Sequence, residues 1–185
     1  MENQKCCNWA AGNQIMRQYH DNEWGVPVHN DQKHFEFLVL DAFQAGLSWL
    51  TILKKRENFR NAFDNFDFRK IALYTEADFN RLMTDAGIVR NKLKIQATIT
   101  NAQCFIQVIA EFGSFDKYIW TFVNNQTIQN NWDTFKSIPA KTKESDAMSK
   151  ALLKRGFRFV GSTICYAYMQ AAGMVNDHEI GCFRH

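Results

Sequence analysis

This sequence predicts an all-α fold. Apolar residues recur at helical spacing along most of the chain, and no stretch alternates convincingly as a strand would. Only 2 Pro and 9 Gly occur in 185 residues, too few turn residues for a many-stranded sandwich or barrel. Aromatics make up 14% of the chain (16 Phe, 5 Tyr, 5 Trp), a rigid apolar supply that fills a thick core and leaves rings over for a site. The length fits a single domain over 1–185. A chain of this size hides about 70% of its unfolded surface and needs no disulfide scaffold.

The elements follow in order. A helix starts near Asp31 and carries Phe35, Leu38, Val39, Ala42 and Phe43 on its core face. Gly46 interrupts it, and a second helical run with Leu50, Ile52 and Leu53 leads into Lys54-Lys55-Arg56-Glu57. Thr75 caps the next helix, with Asp78 three residues on and Phe79, Leu82 and Met83 behind. Gly87-Ile88-Val89 then turns the chain into a long helix whose apolar face is read at Ile95, Ile99, Ala102, Ile106 and Ile109, ended by Gly113. Ser114 caps a short helix with Phe115, Ile119 and Phe122. The polar stretch 124–131 and the segment from Pro139 to Lys143 read as loops. Ser145 is the expected cap of a helix with Met148, Ala151 and Leu152, stopped by Gly156. A last helix runs from about Val160 to near Gly173.

The formal net charge of +3 permits an anionic partner without demanding one. The N-terminus has no apolar stretch of the signal-peptide kind, and no run approaches 18 apolar residues, so a cytoplasmic protein without a membrane span is expected. The five cysteines are odd in number and suit a reducing compartment, not a disulfide framework. Cys104 and Cys165 fall inside helical patterns and read as small buried hydrophobes.

Three constellations carry chemistry. The first spans about 78–100: two helices joined by a turn at Gly87, with Arg90, Lys92 and Lys94 around the start of the second. Free backbone N–H groups at such a helix start suit a phosphate. The pattern matches a DNA-binding helix-hairpin-helix, and spacing alone equally allows an ordinary helical hairpin with a solvated charged face. The second is His178 and Cys182, one helical turn apart, which with Cys7 and His20 make a Cys2His2 set. Four protein ligands would leave zinc no open position, so such a site is structural; the other reading of the same residues is a frayed tail. The third groups Trp9, Tyr19 and Trp24 with Asp41, Gln44, Gly46, Leu47 and Trp49. Asp41 interrupts an apolar run, so it lies at a helix edge or is buried with a partner. Rings beside a carboxylate suit a flat heterocycle bearing N–H groups, although core aromatics with a solvent-facing Asp have the same composition.

Read together, several segments resemble the constitutive bacterial 3-methyladenine DNA glycosylases of type I. They are Cys7-Asn8-Trp9, the YHDNEWGVP run from Tyr19 to Pro27, Gln44 to Asn58, Asp85 to Gln96, Ser145 to Gln170, and Val175 to Cys182, in order along nearly the whole chain. The resemblance implies a helix-hairpin-helix glycosylase with a structural Zn²⁺ held by Cys7, His20, His178 and Cys182, joining segment 7–20 to 178–182. It implies a base pocket walled by Tyr19, Trp49 and Trp9, with Trp24 behind them. The segment Gln44 to Leu47, including Gly46, would enter the DNA stack, while Gly87, Arg90, Lys92 and Lys94 hold the backbone. The partners implied are double-stranded DNA with alkylated bases and free 3-methyladenine as product. The protein would be a monomer, with possible activity on 3-methylguanine and no strand cleavage.

Two positions depart from the family pattern. Asp41 stands where the family has its base-reading glutamate, and its carboxyl ends about 1.5 Å farther back. Met16 replaces the family's second tyrosine, three residues before Tyr19. Both changes favour the competing reading of a zinc-stabilised DNA- or damage-binding module with an altered pocket.

Overall fold

The core is organised around α2 (Asp31–Gln44), whose residues 34–43 are buried without interruption. A helix apolar on one face only would lie at the surface; this one runs through the middle. The computed structural model describes residues 5–185. Packed around α2 are α3 (Trp49–Ala62), α6 (Lys92–Phe112), α7 (Phe115–Ile119) and α9 (Ser162–Ala171), while α1 (Gln14–Asn22) packs on α3. Two short helices, α4 (Phe68–Ile71) and α5 (Glu76–Thr84), precede α6, and α8 (Lys143–Lys154) packs on α9. Phenylalanine supplies much of the packing: Phe35, Phe43, Phe59, Phe63, Phe105 and Phe115 are fully buried, with Phe105 stacked on Phe115 at 4.0 Å between ring centres.

The caps explain the boundaries. Asn13, Asn30, Ser48 and Asn91 each accept a backbone N–H at the start of their helices. Thr75 and Asp78 form the expected reciprocal box. Gly113 ends α6 in the left-handed region. One expected cap moves: Thr142, not Ser145, caps α8, because Ser145 sits three residues inside and returns the bond to the Thr142 N–H at 2.9 Å. On α6 the core face turns toward Phe105 and Val108, leaving Ile106 37% exposed. The all-α expectation also needs one correction. Ile128–Gln129 (β1), inside the stretch read as a loop, pairs in parallel with Val175–Asn176 (β2). The pair is too short to show an alternating pattern, and it ties segment 128–132 to the C-terminal segment.

No described helix is long and apolar enough to cross a membrane. The two ends of the described chain meet, with the Phe183 N–H donating to the Lys5 carbonyl at 3.0 Å.

Candidate functional site

A pocket of about 270 Å³ opens where α1, α2, α3 and α9 converge. Its walls are aromatic. Trp9, on a 3-10 turn at residues 8–10, stands edge-on to Trp24 with centres 5.0 Å apart, and Tyr19 leans on Trp49 at 5.2 Å. Met16 lies one turn before Tyr19 on α1 and lines the same space. Burial pushes the Tyr19 hydroxyl well above its ordinary pKa, assisted by the nearby Asp41 and Glu23 carboxylates, so it stays neutral.

Asp41, in the last turn of α2, is the acid of this pocket. It is 2% exposed, and its Oδ2 is buried with no hydrogen-bond partner among the described residues. Burial pushes its carboxyl well above the usual carboxylate range, against the pull of Arg56. The indole N–H groups of Trp9 and Trp49 are likewise buried and unpartnered. Buried polar atoms normally find partners, and three without one around a single cavity mark a place built for a polar ligand.

Behind Tyr19 lies the opposite arrangement. Arg56 grips both oxygens of Glu23 at 2.7 Å and donates through Nε to Glu36 at 2.8 Å. Lys33 bridges the two glutamates, and Arg60 adds a further donor to Glu36. Each charge here is answered.

The pocket rim continues into the loop after α2. Gln44 lines the pocket, and Leu47 is 42% exposed at the tip. Gly46 takes φ +81°, a left-handed conformation that permits the tight reversal before Ser48. Lys94 corrects the sequence expectation. Its ammonium does not join the surface cations; it is buried under this loop, donating to the Phe43 carbonyl at 2.8 Å and the Ala45 carbonyl at 2.6 Å. A positive group is favoured there because the last carbonyls of α2 lack helical partners. Arg90 and Lys92 are exposed at the start of α6, as expected of anion-facing residues. The turn before them packs on α3: a Cβ at Gly87 would lie 3.1 Å from the Asn58 Cβ, and Lys55 donates to the Ala86 and Gly87 carbonyls.

A second cluster joins the chain ends. The ligand atoms of Cys7, His20 and Cys182 lie within 4.8 Å of one another, all buried. His178 stands beside them, its ring centre 4.8 Å from that of His20, with Nε2 buried and unpartnered among the described residues. Each ring is held from its other side: His20 Nδ1 contacts Asp21 Oδ1, and His178 Nδ1 contacts Asn176 Oδ1, both at 2.6 Å. Backbone N–H groups of Glu179 and Arg184 point at the Cys7 and Cys182 sulfurs. Burial lowers both imidazole pKa values, that of His178 to about 4, and pushes the Cys7 thiol up to about 12.

Sequence reasoning missed Phe135, Ala167 and Gln170, which line the pocket, and gave no role to Arg56 within the charged run Lys54-Lys55-Arg56-Glu57. Phe135 falls between the two stretches read as loops, and nothing local marks it. Ala167 and Gln170 share a face of α9 at i, i+3, a signal that appears only once a pocket is known to lie there.

The sequence pattern of the methyladenine glycosylases matches residues 9–185. DNA-3-methyladenine glycosylase 1 of Escherichia coli (strain K12) is 51% identical over 95% of this chain and 94% of its own. A crystal structure of 3-methyladenine DNA glycosylase I superimposes with a TM-score of 0.94 at 47% identity, over 98% of this chain and 100% of the other. A Staphylococcus aureus 3-methyladenine DNA glycosylase I, solved for the basis of its 3-methyladenine recognition, gives 0.93 at 32% identity, over 96% and 95%.

Proposed function

The chain belongs to the methyladenine glycosylase family, and on that premise we propose that its pocket takes 3-methyladenine from alkylated DNA and releases it. The reaction is hydrolysis of the N-glycosidic bond, the first step of base excision. The observation that carries this reading is the aromatic pocket with a buried, unpartnered Asp41.

An N3-alkylated adenine is cationic, so its bond to the sugar is already weak and the protein has mainly to capture the base. Extrusion from the stack costs a few kcal/mol, least for a damaged base. The rings of Trp9, Tyr19 and Trp49 hold a flat cation by stacking and cation–π attraction. Asp41 lacks a cationic partner at hydrogen-bond distance among the described residues, and the base supplies that charge. The Asp41 carboxylate accepts from the exocyclic amine, which guanine lacks at that position. Met16 leaves the wall beside Tyr19 apolar, so more of the polar selection falls to Asp41.

Outside the pocket, α5, its turn and α6 act as a helix-hairpin-helix on double-stranded DNA. Arg90 and Lys92 and the start of α6 meet phosphate, while Leu47 and Gln44 fill the gap left by the flipped nucleotide. Lys94 contributes indirectly, by fastening the Leu47 loop to the hairpin. The protein works as a monomer.

The chain-end cluster is read as a Zn²⁺ site with Cys7, His20, His178 and Cys182 as ligands. The unpartnered His178 Nε2, the oriented rings and the N–H groups facing sulfur all support it. Bound there, the ion would supply fold stability and no reaction chemistry, since four protein ligands leave no open position. Metal analysis of the purified protein is expected to give one equivalent, and Cys182→Ser is expected to lose it together with thermal stability. Unchanged metal content in that variant removes Cys182 from the set.

Chromatography of bases freed from methylated DNA tests the function itself. Release of 3-methyladenine is expected; intact base with unimpaired DNA binding would instead favour a damage-binding module.

A further inference from the structure

Another buried carboxylate lies close behind the pocket. Asp177, just after β2, is 1% exposed and has no cationic partner in hydrogen-bond contact among the described residues. It is surrounded by donors instead. Its Oδ1 accepts from Asn130 Nδ2 at 2.7 Å and Trp132 Nε1 at 2.8 Å. Its Oδ2 accepts from the Tyr166 hydroxyl at 2.8 Å and from Gln170 Nε2 at 2.7 Å. The last of these reaches the active site, because Gln170 lines the pocket.

The arrangement fixes which way the Gln170 amide faces. A carboxylate accepts and cannot donate, so only the NH2 end of Gln170 can meet it. The reversed amide would set two acceptors against each other beside a buried charge. Tyr166 and Gln170 stand one turn apart on α9, so both reach the same oxygen. The Gln170 side-chain oxygen is then the end left over, and it accepts no hydrogen bond from any described residue. We infer that Gln170 is a specificity-determining residue of the base pocket. Its carbonyl is held there by Asp177 as a second acceptor beside Asp41, selecting adenine-type over guanine-type alkylated bases. The inference rests on the reading of the pocket as a 3-methyladenine site.

The chemistry follows from the two base edges. Adenine presents an exocyclic NH2 with two hydrogens, whereas guanine presents O6 there. Two acceptors answer the first and repel the second. Asp177 touches no base and acts only through Gln170, as a positioning residue.

Bases released from methylated duplex DNA give a direct test, with 3-methyladenine and 3-methylguanine quantified side by side for each protein. Gln170→Met keeps the side-chain length and removes both poles. It is expected to lower the adenine-to-guanine release ratio by about tenfold to a hundredfold, the value of one hydrogen bond to a charged partner. Asp177→Asn turns a donor toward Gln170 and reverses its amide, so the same ratio falls at least as far. In the double variant the Asp177 change adds nothing, because the group it positions is gone. Metal content and melting temperature are read in parallel, since a purely structural role for Asp177 would lower both releases equally and leave the ratio fixed. An unchanged ratio in Gln170→Met overturns the inference and leaves the glycosylase reading standing. Absence of 3-methyladenine release by the wild-type protein overturns the glycosylase reading itself. Should Asp177→Asn fail to fold, Gln170→Met alone decides.

Discussion

Glu36 and Asp41 lie on the same helix, five residues apart, and both are buried. Their surroundings are opposite. Glu36 meets Arg56, Arg60 and Lys33, which outweigh the penalty of burial and hold its carboxyl below the usual range. Asp41 meets no donor among the described residues, and burial pushes its carboxyl far up. The difference separates two uses of a buried charge. One is completed within the protein and holds α1, α2 and α3 together. The other is left open toward a cavity and is completed by a ligand. Burial alone does not distinguish them; the inventory of partners does.

The comparison can be broken from either side, and the largest effect is expected at the completed site. Arg56→Met leaves the buried Glu36 and the half-buried Glu23 with only Lys33 and Arg60 as cations, which costs about 3 kcal/mol, the low end for breaking a buried pair. Denaturant unfolding checks this, and base release per folded molecule should be retained.

Acid acts on the same network next. Burial would raise the Glu23 carboxyl, but Arg56 and Lys33 outweigh it and bring it down from 4.5 to about 2. A depressed carboxylate stabilises the fold above its unfolded value, and that contribution is lost as pH falls from about 4.5 toward about 2. The loss amounts to roughly 2–3 kcal/mol once partial exposure is allowed for. Unfolding curves across that window should fall less steeply in Arg56→Met than in the wild type.

Lys94→Met is smaller again. It strips the donor from two carbonyls at the end of α2, at about 1–2 kcal/mol. Because the Leu47 loop is loosened, binding to duplex DNA should weaken with no change in the salt slope. A surface phosphate contact, as at Lys92, would lower that slope by about one.

The smallest stability effect belongs to Asp41 itself. Asp41→Asn removes a buried, unpartnered carboxyl and should change the unfolding free energy by less than about 1 kcal/mol. A clear loss would mean that Asp41 is completed inside the protein after all.

These contrasts also show what the sequence holds. Caps such as Thr75 and Gly113 are local chemistry and were legible, as were the helices they bound. The pocket residues Trp9, Tyr19, Asp41 and Trp49 were nominated from runs that match a family, since nothing in spacing brings position 9 to position 49. Lys94 was read as a surface cation because its sequence neighbours, Arg90 and Lys92, are basic; its inward turn depends on carbonyls 49 and 51 residues away. Arg56 hid in a charge run for the same reason. Gln170 and Asp177 carry no local mark, because their pairing exists only once α9 and β2 are packed.

The most direct measurement is 3-methyladenine release by Asp41→Asn against the wild type, on methylated DNA, with melting curves on the same samples. The predicted result is a fall between about tenfold and a hundredfold with the fold undisturbed, matching one lost hydrogen bond to a charged group. Wild-type release by Asp41→Asn would contradict the account, for the unpartnered carboxyl would then have no part in holding the base.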